Sequence, residues 1–239
     1  MKVTNDNNSV VPPGISGKSV VFNAPEVKLE ALANEVALLS LGDWEALKIK
    51  IDVNKFQQEI KQFDDEWVDY LPRTDRVNNR LGLAVTNLPG LTHRDNPSLA
   101  QTSYTAGRKV SEVEFNQPTD AYKKLTSLHP LLDLFFPLGR TFLIKSKKGG
   151  YFVPHRDHPT IPRDSFRIAV FLQGCEPLEY DWIQNDKKML IEHGRPYYIN
   201  TKQVHRTVSW NDNSIHLILN IPFNSKNVSK LIANLQHAH

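Results

Sequence analysis

Two segments of this chain hold residue types that together bind a metal. One is Tyr151-Phe152-Val153-Pro154-His155-Arg156-Asp157-His158, and the other, fifty residues on, is Val204-His205-Arg206. Residues two apart on an extended backbone face the same way, so His155 and Asp157 share a face and Arg156 points away. The third ligand must come from another strand, and His205 follows the strand-like stretch Pro196 to Asn200. Two neutral nitrogens and one carboxylate, with further positions left open, suit Fe(II) and oxygen chemistry. A structural zinc site is normally closed by four ligands, often thiolates, and Cys175 is the only cysteine here.

The triplet occurs twice. His93-Arg94-Asp95 lies between Pro89-Gly90-Leu91-Thr92 and Asn96-Pro97-Ser98, a loop composition without strand texture. The copy at 155–157 has strand context and a downstream histidine, so it is the predicted metal site. His193, before Gly194 in a turn, is the runner-up third ligand. His129 and His158 read as surface or turn residues.

Ligands need rigid carriers, and the second half of the chain supplies them. Thr141 to Lys145, Tyr151 to His155, Phe166 to Leu172, Tyr180 to Ile183, Lys188 to Ile191, Pro196 to Ile199 and Ile215 to Ile221 read as short strands. Gln184-Asn185-Asp186-Lys187 is a hairpin signal. Strands this short and this frequent predict an antiparallel sandwich or barrel. The first half reads differently. Residues 1–20 are polar, carry Pro12-Pro13-Gly14 and predict a flexible arm. Asn23-Ala24-Pro25-Glu26 predicts a helix start, with Leu29, Leu32, Val36 and Leu39 as its apolar face. Asp52 predicts the cap of a second helix that buries Phe56, Ile60 and Phe63. Leu81 to Val85 reads as a strand, and Pro118-Thr119-Asp120 opens a short helix ending near His129-Pro130. The expected organisation is an arm (1–20), a helical N-terminal part (21–135), a β core (136–225) and a C-terminal helix (226–239).

Composition narrows the function classes. The 239 residues are 40% hydrophobic and 23% charged, ordinary for a soluble globular protein. No apolar run approaches the roughly 18 residues of a membrane helix, and the N-terminus lacks an apolar signal core. With the single cysteine, this predicts a cytoplasmic protein. Cys175 itself reads as a buried small residue. The net charge of +3 is mild, and its densest group, Lys145, Lys147 and Lys148, reads as solvated surface. Neither nucleic acid nor membrane is an expected partner. The oligomeric state has no signature.

The stretch from Arg140 to Phe223 resembles the 2-oxoglutarate/Fe(II)-dependent dioxygenases. The group most similar is the aspartyl/asparaginyl β-hydroxylase-like one, which includes free-proline hydroxylases. The likeness is carried by Pro154-His155-Arg156-Asp157, Phe166-Arg167-Ile168, Gly194, His205 and Ser214-Ile215-His216-Leu217-Ile218-Leu219. It implies a double-stranded β-helix, a jelly-roll or cupin core, beside the α-helical N-terminal part: mainly β with helices. It also implies His155, Asp157 and His205 as iron ligands, with 2-oxoglutarate and dioxygen in the open positions. The chemistry implied is hydroxylation of an amino acid or peptide side chain, with succinate and carbon dioxide released. Arg167 matches a basic residue that contacts the co-substrate, as suits a charge-assisted partner for a carboxylate. His216 stands where many members have a second arginine, so His216 or Arg167 is the co-substrate anchor. Asp157 favours the proline-hydroxylase-like branch and argues against halogenation.

Other readings remain open on residues alone: a metal-binding cupin of another class, or a non-catalytic jelly-roll module. Nucleic-acid demethylation is disfavoured, because Ser209-Trp210-Asn211-Asp212-Asn213-Ser214 lacks arginine. Arg80, Arg94, Tyr104 and Arg163 are candidate contacts for a substrate carboxylate, though residues of these types more often lie on the surface. Trp182 is expected to pack the barrel.

Overall fold

The computed structural model describes residues 29–70, 79–157 and 163–236. The predicted arm, the helix start at 23–26 and His158 lie outside them. In chain order the elements are α1 (Leu29–Ser40), β1 (Trp44–Ala46), α2 (Val53–Glu59), β2 (Val68–Asp69), β3 (Arg80–Ala84), β4 (Thr86–Asn87), α3 (Leu99–Thr105), β5 (Gln117–Pro118), α4 (Asp120–Lys124) and α5 (His129–Leu132). Then follow β6 (Thr141–Ser146), β7 (Tyr151–His155), β8 (Ser165–Gln173), β9 (Tyr180–Gln184), β10 (Lys187–Lys188), β11 (Pro196–Ile199), β12 (His205–Ser209), β13 (Ser214–Pro222) and α6 (Ser225–Ala233).

Seven strands form one sheet in the order β1-β11-β8-β13-β6-β3-β2, and four form a second in the order β10-β9-β12-β7. All pairings are antiparallel. The eight strands β6 to β13 divide between the two sheets as in a jelly roll: β6, β8, β11 and β13 in the larger, β7, β9, β10 and β12 in the smaller, with the β9–β10 hairpin the one consecutive pair that stays in one sheet. This is a double-stranded β-helix, the cupin-like core expected from the sequence. The N-terminal part is less purely helical than expected. It adds β1 to one edge of the larger sheet and β3 with β2 to the other. Of these, β3 matches the strand expected over Leu81 to Val85; β1 and β2, of three and two residues, carry too little alternation to be read locally.

Alternation along the strands divides the interior in two. Leu143, Ile168, Val170, Leu217 and Leu219 join Phe56, Phe63, Leu128 and Leu132 on the helical side. Phe142, Ile144, Ala169, Phe171 and Ile218 face the smaller sheet with Tyr180 and Trp182. Even at about 25 cal/mol per Å² of apolar surface, cores this well buried supply the main stabilising term. The helix signals hold where side chains cap them: the Lys55 amide donates to Asp52 Oδ1 at 3.0 Å, and the Ala121 amide to Thr119 Oγ1 at 3.2 Å. His129-Pro130 does not end a helix but starts α5, because proline suits the first turn. The hairpin between β9 and β10 turns through Asn185 and Asp186, both at positive φ, as a two-residue type I′ turn requires.

Helix α1 departs from expectation. Leu29, Leu32, Val36 and Leu39 are exposed, while Glu35 and Leu38 are buried. Glu35 turns inward because it neutralises Arg163, whose Nε and Nη2 reach its carboxylate at 2.7–3.2 Å. Lys202 adds a contact at 3.4 Å. Burial alone would raise the Glu35 pKa; Arg163 and Lys202 outweigh it and hold the carboxyl below its ordinary value. Arg163 is thus a buried structural cation rather than a surface or substrate contact.

Candidate metal centre

His155 ends β7, and His205 opens β12 as its register partner. The second strand was hidden in the sequence: His205-Arg206-Thr207-Val208-Ser209 has one aliphatic residue, so its alternation of buried and exposed positions is carried by polar groups. The two rings lie 4.2 Å apart between centroids. Asp157 follows the end of β7, and its amide donates to the Thr201 carbonyl at 2.8 Å. Its Oδ1 is 3.7 Å from His155 Nε2, and its Oδ2 is 3.6 Å from His205 Nε2. Among the described residues these three are the group whose ligand atoms converge, all within 4.8 Å of one another.

The outer ring nitrogens fix which atoms face inward. His155 Nδ1 donates to the Val153 carbonyl at 2.6 Å, and His205 Nδ1 to the Gln203 carbonyl at 3.1 Å. With Nδ1 carrying the proton, each Nε2 keeps its lone pair for a cation. Burial pushes the His205 pKa down to about 4, with Asp157 and the Gln203 carbonyl opposing and His155 and Arg167 assisting. A neutral imidazole is the form that ligates a metal. Trp182 lies parallel to the His205 ring at 5.6 Å and ties its own Nε1–H to Gln184 Oε1 at 3.2 Å, so the imidazole is braced from its flat side. Trp182 packs the barrel, as expected, and does so against a member of the His-Asp-His group.

The three groups open into a cavity of about 90 Å³ between the sheets. Its wall includes Tyr70, Arg140, Phe152, Arg167, Thr207 and His216. Arg167 projects from β8 and donates from Nη1 to Asp157 Oδ2. Its Nε and Nη2 both donate to Asn220 Oδ1 at 3.2 Å. His216 projects from β13 and is 2% exposed; its Nδ1 has no hydrogen-bond partner among the described residues. Burial, with Arg80 nearby, pushes its pKa to about 3, so it enters the cavity neutral. Both predicted co-substrate residues therefore reach the cavity, but they differ: Arg167 is engaged on every nitrogen, and His216 presents an unsatisfied one.

The other histidine candidates are occupied elsewhere. His93 pairs with Glu66, and Asp95 caps its own turn, accepting from the Thr92 amide at 2.7 Å and hydroxyl at 2.8 Å. His193 accepts from the Cys175 amide at 3.2 Å. His129 Nε2 contacts the Tyr122 carbonyl at 2.9 Å. Sequence reasoning missed Tyr70, Glu112, Arg140 and Asn220. Arg140 at the head of β6 was visible as a charge beginning an apolar strand; Glu112 and Asn220 had no local signal.

No family model matches the sequence, and no curated protein does. Solved structures resemble it at low identity. A prolyl-4-hydroxylase from Pseudomonas putida aligns at 13% identity over 82% of this chain and 100% of that one, with a TM-score of 0.39. KdgF from a Halomonas species aligns at 16% identity over 36% of this chain and 70% of that one, TM-score 0.29. An RmlC-like cupin from Shewanella frigidimarina aligns at 13% identity over 36% and 68%, TM-score 0.28. The class rests on the chain's own strand order and site: a cupin-like double-stranded β-helix carrying a His-Asp-His group that can hold a metal ion. No described helix is long and apolar enough to cross a membrane.

Proposed function

We propose that this protein is an Fe(II)- and 2-oxoglutarate-dependent dioxygenase that hydroxylates an amino acid or a peptide side chain. The observation that carries the reading is the open three-ligand group His155, Asp157 and His205, with both Nε2 atoms turned inward by hydrogen bonds at Nδ1. Two imidazoles and one carboxylate on one face fit Fe(II), with positions left for a chelating acid and dioxygen. Bound there, iron supplies the dioxygen activation that couples decarboxylation of 2-oxoglutarate to insertion of one oxygen atom into a substrate C–H bond; succinate and carbon dioxide carry the remaining atoms away.

The chain's own residues hold and shield. Phe142, Ile144, Phe152, Trp182 and Ile218 line the cavity with apolar surface and exclude water. His216 offers its unpartnered Nδ1 to the organic acid's remote end, and Arg167 lends positive charge beside Asp157. Arg80, its guanidinium 4.0 Å from the Phe152 ring centre, stands on the same side as a candidate contact for an anionic substrate. The buried lone thiol of Cys175 suits a cytoplasmic setting. The test is turnover. Purified protein with Fe(II) should convert 2-oxoglutarate to succinate, and a screen of free amino acids and peptides should show a mass gain of one oxygen. Unchanged succinate formation in His155→Ala would contradict the proposal.

A further inference from the structure

Arg167 meets Asp157 with one end of its guanidinium because the rest is held from behind. Asn220 is its register partner across β8 and β13 and accepts from both Nε and Nη2. Asn220 cannot turn its amide away, since its own Nδ2 donates to the Arg140 carbonyl at 2.7 Å. On the far side Glu112, from the short 3-10 turn Glu112–Glu114, lies 3.8 Å from Arg167 Nη2. The same carboxylate grips Arg140 at Nε and, at 3.0 Å, at Nη2. Arg140 also donates to the Pro97 carbonyl at 2.8 Å. Glu112, Arg140, Arg167 and Asn220 are all 8% exposed or less.

We infer that Glu112 and Asn220 are positioning residues for the metal carboxylate, acting through Arg167. The inference rests on the metal-site reading above and extends it to a residue of the N-terminal part that touches neither ligand nor cavity. Two physical effects support it. Asn220 aims the guanidinium, and the guanidinium aims Asp157, as outer partners of metal ligands do. Glu112 also offsets charge: with Asp157 it balances Arg140 and Arg167. Without Glu112 a divalent cation would face more uncompensated positive charge in a poorly solvated cavity.

The test is Mn(II) affinity of the metal-free full chain, measured by calorimetry without co-substrate or turnover. Asn220→Ala, which changes aim but not charge, and Glu112→Gln, which changes charge, should each raise the Mn(II) Kd about tenfold or more. At saturating Co(II), Asn220→Ala should also shift the visible d–d bands, because the carboxylate is turned. Thermal midpoints are recorded alongside. A lowered midpoint with Mn(II) Kd within about twofold of wild type and unchanged Co(II) bands would overturn the inference, leaving these residues merely structural. If Glu112→Gln does not fold, Asn220→Ala decides alone. Wild-type protein that binds no Mn(II) or Co(II) would overturn the metal site itself, an outcome distinct from normal binding in both variants.

Discussion

His155 and His205 are cross-strand partners whose ring centroids are 4.2 Å apart, each with Nδ1 bonded to the carbonyl two residues before it. This symmetry of outer hydrogen bonds makes the pair an inward-facing set of two lone pairs. Replacing either ring with alanine should abolish stoichiometric binding of Mn(II) or Fe(II), read by calorimetry or metal analysis. The more exposed His155→Ala should fold as wild type does; retained metal in that variant would contradict the ligand set.

Asp157 has a second partner in Arg167, so its removal is felt by the fold as well as by the metal. Asp157→Ala leaves the largely buried guanidinium without its carboxylate and should cost roughly 1–3 kcal/mol of stability in the metal-free protein. Denaturant midpoints at matched pH check this. Asp157→Asn keeps an acceptor and should lose less stability while still losing metal.

The buried histidines predict an acid-sensitive fold. His205 and His216 are pushed from 6.5 to about 4 and about 3, chiefly by burial. Below pH 6.5 the unfolded chain binds protons that the folded chain resists, so stability falls as pH falls toward those lowered values and is retained above 6.5. Each group contributes up to about 1.4 kcal/mol per pH unit inside its window. Urea unfolding of the metal-free protein between about pH 7 and about pH 5 should show this loss, and His216→Gln should remove roughly half of it. An identical pH slope in that variant would contradict the assignment.

Glu35 and Arg163 form a pair in which both side chains are 1% exposed or less. Breaking it strands a buried cation, so Glu35→Ala should destabilise by about 3–5 kcal/mol. A change below about 1 kcal/mol would contradict this role for the pair.

The converging His-Asp-His group was legible in the sequence; the residues that support it were not. His155, Asp157 and the strong strands β8 and β13 announce themselves through spacing and apolar texture. Strand β12 did not, because Thr207 and Ser209 are buried polar residues where aliphatic ones would signal a strand. The face of α1 turns the other way because a buried Glu35, with Arg163 behind it, outweighs three leucine and one valine side chains. Glu112 and Arg140 meet across 28 residues and Arg167 and Asn220 across 53; no local pattern records such pairs.

His155, Asp157 and His205 are proposed to hold a divalent metal with positions open to a 2-oxo acid. The most direct measurement is the visible spectrum of Fe(II)-loaded protein on adding 2-oxoglutarate without oxygen. A metal-to-ligand charge-transfer band should appear, saturate at one equivalent per site and be absent from His155→Ala. Bound Fe(II) with no such band at saturating 2-oxoglutarate would contradict it.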